Sequence, residues 1–122
     1  MIAVDTNVIS NWLRGKTDLP NTEIFVPFVV LAEARAGVES GGNPTKYKKL
    51  LAEYFSDDNL TLSPGLPPEV IGCYVQIYSY LRQKGTPISP NDLWIAGECM
   101  HLSLPLLTQD KDFKNVPQIR LV

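Results

Sequence analysis

The sequence has few cysteines and no long apolar run. Cys73 and Cys99 show no CxxC or Cys/His spacing, which excludes a disulfide scaffold and a zinc site of cysteine and histidine ligands. Gly72, Gln76 and the prolines interrupt each apolar stretch before it reaches the roughly 18 residues of a membrane span. The N-terminus has an acid at Asp5 and no basic segment, unlike a signal peptide. We therefore expect a soluble, cytoplasmic protein with reduced thiols and no membrane association.

The length and composition suit one globular domain. The chain has 122 residues, and we expect residues 1–122 to form a single domain. Hydrophobic residues make up 44% and charged residues 20%, which excludes a disordered chain. The formal net charge is −2, from 11 basic and 13 acidic residues, and this argues against nucleic-acid binding by overall positive charge. If a metal neutralised four of the acids, the rest of the chain would have 11 basic and 9 acidic residues, a net charge of 11 − 9, or +2.

Short apolar segments alternate with helical patterns along the chain. The strand candidates are residues 2–4, 23–26, 60–62, 105–108 and 119–122. The helix candidates begin near Thr6, Pro27, Thr45, Pro67 and Pro90 and end near Gly15, Glu39, Phe55, Gly85 and Leu102. Because strands that alternate with helices form parallel sheets, we expect a three-layer α/β/α domain with a central, mainly parallel sheet of about five strands.

Acids directly follow two of the predicted strands. Asp5 ends the first strand, and Asp110 and Asp112 come just beyond the strand at residues 105–108. Ligands of parallel sheets bind outside the carboxyl ends of the strands, so these acids would face one crevice. Each acid also has a structural interpretation. Asp5 suits the N-cap of the first helix, and Asp110 or Asp112 suits a turn or a cap.

Two further acids lie on helix faces that are otherwise apolar. Glu33 has only apolar or small residues one turn away, at positions 29, 30, 36 and 37, so we expect its carboxylate to point toward the core. An unpaired charge there is costly, which favours a functional role or a distant ion pair. Asp92 has similar neighbours, although Ser89 and Pro90 before it form a capping pattern that also explains an acid.

Four carboxylates around one crevice, from Asp5, Glu33, Asp92 and Asp110, make chemical sense only with cations, because like charges repel. An oxygen-only ligand set suits Mg²⁺ or Mn²⁺. One or two such ions activate a water and stabilise the phosphoryl oxygens of an in-line displacement. The combination predicts a metal-dependent phosphodiesterase, that is, a nuclease.

Four segments in the same order resemble the PIN-domain ribonucleases, and more narrowly the VapC toxins of bacterial and archaeal VapBC toxin–antitoxin modules. They are VDTNVIS at residues 4–10, LAEARAG at 31–37, NDLWIAG at 91–97 and LTQDKDF at 107–113. The resemblance covers essentially the whole chain. It implies a PIN-like fold and metal-dependent endoribonuclease activity.

The resemblance also implies roles for particular residues. The acids that would bind Mg²⁺ or Mn²⁺ and carry catalysis are Asp5, Glu33, Asp92 and Asp110, with Asp112 as a second candidate for the fourth place. The polar residues that would orient the first acid and the attacking water are Thr6, Asn7 and Thr108. The family further implies cleavage of RNA, often tRNA or rRNA, and a homodimer. It also implies inhibition by a VapB-like antitoxin that places a basic residue across the acidic pocket.

Other interpretations stay open. Arg14 and Lys16 are candidate RNA contacts, although cations at a helix end are also typical of solvated termini. A phosphohydrolase of small substrates is a second enzyme class, but Asp5 lacks the second aspartate two residues on that a phospho-aspartate phosphatase would use. The non-enzymatic alternative is a catalytically silent PIN-like module that binds a protein or RNA. Basic partners for the acids would favour that module.

Overall fold

The computed structural model describes residues 1–41 and 58–122, together with residues 45 and 52. Apart from those two positions, the predicted helix over residues 45–55 lies outside the described residues. The described elements, in chain order, are β1 (Ile2–Val4), α1 (Thr6–Leu13), β2 (Ile24–Val26), α2 (Phe28–Ser40), β3 (Leu60–Leu62), α3 (Glu69–Lys84), α4 (Pro90–Leu102), β4 (Leu106–Leu107) and a 3₁₀ helix (Lys111–Asn115).

The strands form one parallel sheet in the order β3-β2-β1-β4. Every residue of β2 is buried, as are Ala3 and Val4 of β1, which is expected of central strands covered on both faces. Ala3 pairs with Phe25 of β2 on one side and with Leu106 of β4 on the other. The strand order therefore reverses at β1. The predicted α/β fold with a central parallel sheet is confirmed.

The sheet has four strands among the described residues rather than the five or so that the sequence predicts. The predicted strand at residues 119–122 is reduced to one parallel bridge between Leu121 and Leu106. The Leu106 N–H donates to the carbonyl of residue 120 at 2.8 Å, and the N–H of residue 122 donates to the Leu106 carbonyl at 3.0 Å. Pairing stops there because β4 is only two residues long, between Pro105, which has no N–H, and Thr108, where the chain leaves the sheet.

The helix ends follow local signals in the sequence. Pro90 is the first residue of α4, and the side chain of Ser89 before it accepts a hydrogen bond from the Asp92 N–H at 3.2 Å. The α3 helix ends at Gly85, whose φ of 73° is the left-handed conformation that favours glycine. At Gly97, an added Cβ would lie 3.4 Å from the backbone of α3, so this glycine lets α3 and α4 pack closely.

Apolar side chains from both the sheet and the helices form the core. The largest fully buried ones are Phe113, Ile9, Ile24, Ile77, Leu81, Ile95 and Leu106. Trp94 packs against Tyr74 with ring centroids 4.3 Å apart, which joins α4 to α3. Cys73 and Cys99 are free thiols. In the part of the chain that the structure describes, no helix is both long and apolar enough to span a membrane.

Candidate active site

Asp5 lies where β1 ends and α1 begins. Its backbone N–H donates to the Leu107 carbonyl of β4 at 3.0 Å, and its carbonyl accepts from the Val8 N–H at 3.1 Å. Its Oδ1 accepts from the Thr6 N–H at 2.7 Å, and its Oδ2 accepts from the Thr108 hydroxyl at 2.6 Å. Only 4% of Asp5 is exposed. Asp5 therefore does cap α1, but each of its carboxylate oxygens keeps a further lone pair for another ligand.

Glu33 lies on α2 and contacts both α1 and α4. The Thr6 hydroxyl donates to Oε1 of Glu33 at 2.8 Å, and the side-chain amide of Asn91 lies 3.5 Å from Oε2. The side chain is half-buried, so the prediction that it points into the core is wrong. It lies instead beside α1 and α4, where hydroxyl and amide donors offset the cost of its charge.

Asp110 and Asp112 differ in their surroundings. The Asp110 N–H donates to the Thr108 hydroxyl oxygen at 3.0 Å, and Asp110 Oδ1 accepts from the Asp112 N–H at 2.9 Å, which caps the 3₁₀ helix. Asp110 is half-buried and Asp112 is exposed. The charge of Asp110 contributes to raising the pKa of Asp5. Asp110 is thus electrostatically coupled to Asp5, whereas Asp112 contacts Asp110 through its backbone.

Two threonines join three of the acids in a continuous chain of hydrogen bonds. Thr6 donates its hydroxyl proton to Glu33 and its backbone N–H to Asp5. Thr108 donates its hydroxyl proton to Asp5 and accepts the backbone N–H of Asp110. A hydroxyl has one proton, so each threonine side chain is directed at one carboxylate. These hydrogen bonds fix the relative positions of the acids that follow β1 and β4 and the acid on α2.

Neighbouring acids help to raise the pKa values of Asp92 and Asp5. Burial, together with the negative charges of Asp5, Asp110 and Glu33, raises the pKa of Asp92 to about 6, although a hydrogen bond with Ser89 opposes the rise. Burial raises the pKa of Asp5 as well, and the charges of Asp110 and Glu33 add to that rise. We refer to Asp5, Glu33, Asp92 and Asp110 as the acid group. Its members come from separate parts of the chain.

The acid group has polar rather than basic partners. Within the described ranges, its hydrogen-bond partners are hydroxyl, amide and backbone groups, and no Lys or Arg is among them. The basic partners that would favour a silent interaction module are therefore not found in that part of the chain. The like charges of the acid group remain unneutralised by protein cations there.

Oxygen-only donors of this kind suit Mg²⁺ or Mn²⁺. Among the residues that the structure describes, no three His, Cys, Asp or Glu side chains converge closely enough to enclose one ion. Mg²⁺ usually keeps several waters and takes one or two carboxylates, so this arrangement fits a hydrated ion rather than an enclosed one.

Three other candidates lie away from the acid group. Asn7 is exposed, and in the described part of the chain its side chain donates no hydrogen bond to the acids. Arg14 and Lys16 are exposed at the far end of α1. The eight residues of α1 span about 12 Å, so Arg14, which caps the far end of the helix, lies at least that distance along the helix from Asp5.

Two polar residues of α4 that contact α2 were not predicted from the sequence. Asn91 approaches Glu33, and Glu98, which is only 2% exposed, bonds to the first residue of α2. The available signal for Glu98 was an acid within the largely apolar stretch from residue 93 to residue 100. An acid at that position matches neither a helix-capping pattern nor a metal-ligand pattern, so the sequence offered no reason to assign it a role.

Fold and site together define a parallel α/β domain with an acidic site at the carboxyl ends of adjacent strands, where the strand order reverses. Residues 2–119 match the family model of the PIN domain. The chain belongs to the PIN domain family.

Similar proteins carry the name Ribonuclease VapC. Ribonuclease VapC5 of Mycobacterium tuberculosis is 31% identical over 85 residues, which cover 70% of this chain and 62% of that relative, less than two thirds of its length. Ribonuclease VapC1 of Haemophilus influenzae is 24% identical over an alignment of 127 positions, covering 96% of this chain and 92% of the relative.

A solved complex has the same fold. The structure of VapBC2 from Rickettsia felis, bound to a DNA fragment from its promoter, contains a chain that matches with a TM-score of 0.88 and 24% identity. The match covers 100% of this chain and 98% of that one. The predicted PIN-like fold is confirmed by these comparisons.

Proposed function

We propose that this protein is a divalent-metal-dependent endoribonuclease of the VapC type. The acid group carries the proposal, because its members lie close enough to act on one another and have no basic hydrogen-bond partner in the described residues. Thr6 and Thr108 link Asp5 to Glu33 and to the backbone of Asp110. The charges of these three acids act on Asp92. The raised pKa of Asp92, about 6, reflects burial and like-charge repulsion that a bound cation would relieve. The names of the relatives support RNA as the substrate.

The acid group would hold Mg²⁺ or Mn²⁺, partly through water. When bound, the ion supplies an activated water and stabilises negative charge on the phosphoryl oxygens. The protein's own contribution is positioning. Thr6 and Thr108 fix the carboxylate of Asp5, and Thr6 also orients Glu33. Asp110 suits the fourth place better than Asp112, because its charge acts on Asp5.

The substrate we propose is a single-stranded or loop region of tRNA or rRNA. Its phosphates would approach the acid group through the bound cation, since bare carboxylates repel phosphate. Arg14 and Lys16 are exposed and would contact the strand away from the reacting phosphate. Asn7 is exposed next to Asp5 and Thr6 in sequence, where it is available to a water or to the substrate.

The partners we propose are a VapB-like antitoxin and a second copy of this chain. The solved neighbours include VapBC complexes, which supports the antitoxin. The negative field of the acid group would attract a basic antitoxin side chain, which would then exclude metal or substrate. On α3, Ile71, Val75 and Tyr78 are 56%, 52% and 42% exposed at helical spacing, and this apolar stripe supports a homodimer.

Cleavage of purified RNA tests the activity. Antitoxin-free protein is incubated with total tRNA and with rRNA in Mn²⁺, Mg²⁺ or EDTA. We expect cleavage with metal, none in EDTA, and a loss of about 100-fold or more in Asp5→Asn, because changes to outer-shell partners alone typically cost 10- to 100-fold. The matched control is Asp18→Asn, which makes the same chemical change at an exposed position. Full activity in EDTA, or in Asp5→Asn, would contradict the proposal.

A further inference from the structure

Glu98 is a buried carboxylate that lies outside the acid group. It is 2% exposed and belongs to α4. Its Oε1 accepts from the Phe28 N–H at 2.8 Å, and its Oε2 accepts from the Ser63 hydroxyl at 2.5 Å. Burial raises the pKa of Glu98, while these two hydrogen bonds oppose the rise. The carboxylate is therefore held by donors from two other parts of the fold.

The first contact of Glu98 replaces a missing helix cap. Phe28 is the first residue of α2, and Pro27 before it makes no side-chain capping bond. The N-terminal N–H groups of a helix have no partner within the helix and attract negative charge. Glu98 supplies that acceptor from α4.

The second contact ties the same carboxylate to the end of β3. Ser63 follows β3 directly, and its backbone N–H donates to the Val26 carbonyl of β2 at 3.0 Å. With its hydroxyl proton directed at Glu98, the Ser63 oxygen accepts from the Gly65 N–H at 3.3 Å. Glu98 thus links α4 to α2 and to the sheet.

Glu98 and Asn91 together form a two-point contact between α4 and α2. They lie seven residues apart, so they share one face of α4 and are separated by about 10 Å along it. Glu98 meets Phe28, at the start of α2, whereas Asn91 meets Glu33 further along. Two separate contacts restrain both the sliding and the rotation of one helix against the other.

We infer that Glu98 is a positioning residue for the acid group. By holding the start of α2 against α4, it sets the position of Glu33 on α2 relative to Asp92 on α4. This inference rests on the proposed function, because it assigns Glu98 an effect on metal affinity. A helix moves as a unit, so loosening the Phe28 contact displaces Glu33. Direct outer partners of metal ligands typically change metal affinity 10- to 100-fold, and Glu98 acts one step further away, through Phe28, so we expect the lower end of that range.

Calorimetric titration of Mn²⁺ into metal-free Glu98→Gln tests the inference. Glutamine has the same shape, but its neutral carbonyl accepts only a weaker hydrogen bond from the Phe28 N–H, while the Ser63 hydroxyl can turn to the Gly65 carbonyl, 3.3 Å away. We therefore expect the variant to fold. The loss of the charge-assisted bonds should raise the Kd for Mn²⁺ about 10-fold and speed hydrogen exchange at the Phe28 amide.

Ile77→Val is the control for a purely structural effect. Ile77 is fully buried on α3, and removal of one methyl group lowers stability while the hydrogen bonds of Glu98 to Phe28 and Ser63 keep all their partners. Its Mn²⁺ affinity should stay within about twofold of wild type, because the apolar side chain of Ile77 takes no part in those hydrogen bonds. An equal loss of affinity in Ile77→Val and Glu98→Gln would overturn the positioning role.

The outcomes separate this inference from the proposed function. Wild-type affinity in Glu98→Gln would overturn the inference and leave the proposed function intact. A folded wild type that binds no Mn²⁺ would overturn both. If Glu98→Gln does not fold, Ser63→Ala removes one of the two donors and should raise the Kd about threefold, a fraction of the outer-partner effect. Unchanged affinity in Ser63→Ala would then overturn the inference.

Discussion

In the absence of metal, the Asp92→Asn variant is expected to be more stable than wild type at neutral pH, although it removes a proposed metal ligand. Burial and the charges of Asp5, Asp110 and Glu33 raise the pKa of Asp92 from its ordinary value of 3.8 to about 6. In the unfolded chain the same carboxyl ionises near the ordinary value. At pH 7 the folded state therefore carries an ionised group that its surroundings disfavour.

The size of the effect follows from the pKa difference. A rise from 3.8 to about 6 corresponds to about 3 kcal/mol, at 1.36 kcal/mol for each unit. Asp92 is half-buried, so solvent screening reduces this free energy to about 1–2 kcal/mol. Loss of an acid from the first turn of α4 subtracts about 0.5 kcal/mol. The expected net gain is about 1 kcal/mol, or a rise in Tm of about 3–6 °C.

The pH dependence identifies Asp92 as the source. Below the ordinary pKa, Asp92 is protonated in both the folded and the unfolded state. The free energies of unfolding of variant and wild type then differ little. As pH rises from 4 to 6, the unfolded state releases its proton first, so wild-type stability falls relative to the variant. Above that range the difference stays constant.

Urea unfolding in EDTA across pH 4 to 7.5 measures this difference. Asp18→Asn, at an exposed acid, serves as the control and should differ from wild type by less than about 0.5 kcal/mol. A lower stability of Asp92→Asn than of wild type at pH 7.5, or a stability difference that does not grow with pH, would show that the pKa of Asp92 is not raised in the folded protein.

Three further changes test individual side chains. Thr108→Val removes the hydroxyl that links Asp5 to Asp110, so Mn²⁺ affinity measured by calorimetry should fall about 10-fold, and unchanged affinity would contradict that link. In the RNA cleavage assay, Asp110→Asn should lose about 100-fold and Asp112→Asn less than about threefold, and the reverse order would make Asp112 the fourth acid. Arg14→Ala should weaken RNA binding about threefold at low salt, with a shallower salt dependence, and an unchanged slope would remove Arg14 from the interface.

The positions of the four α-helices whose bounds the structure describes could be predicted because their signals are local. Ser89 and Pro90 determine where α4 begins, and Gly85 determines where α3 ends. The extent of the last strand could not be predicted in the same way. Pairing at residues 119–122 depends on how many residues β4 offers, and that number is set by Pro105 and by the turn at Thr108.

The acid group was open to prediction because its members follow strand ends or interrupt apolar helix faces. The surroundings of Glu33 could not be predicted, since the sequence does not show that Thr6 and Asn91 lie beside it after folding. Glu98 was harder still, because its partners Phe28 and Ser63 are 70 and 35 residues away. The one signal in the sequence was the acid itself, within the largely apolar stretch from residue 93 to residue 100.

Calorimetric titration of Mn²⁺ into antitoxin-free wild type and Asp5→Asn tests whether the acid group binds a divalent cation. Circular dichroism on the same samples establishes that both are folded. We expect saturable binding to wild type and binding at least about 100-fold weaker, or lost, in Asp5→Asn, which lacks the charge of the most buried acid in the group. No binding to folded wild type, or equal binding to both proteins, would contradict metal binding by the acid group.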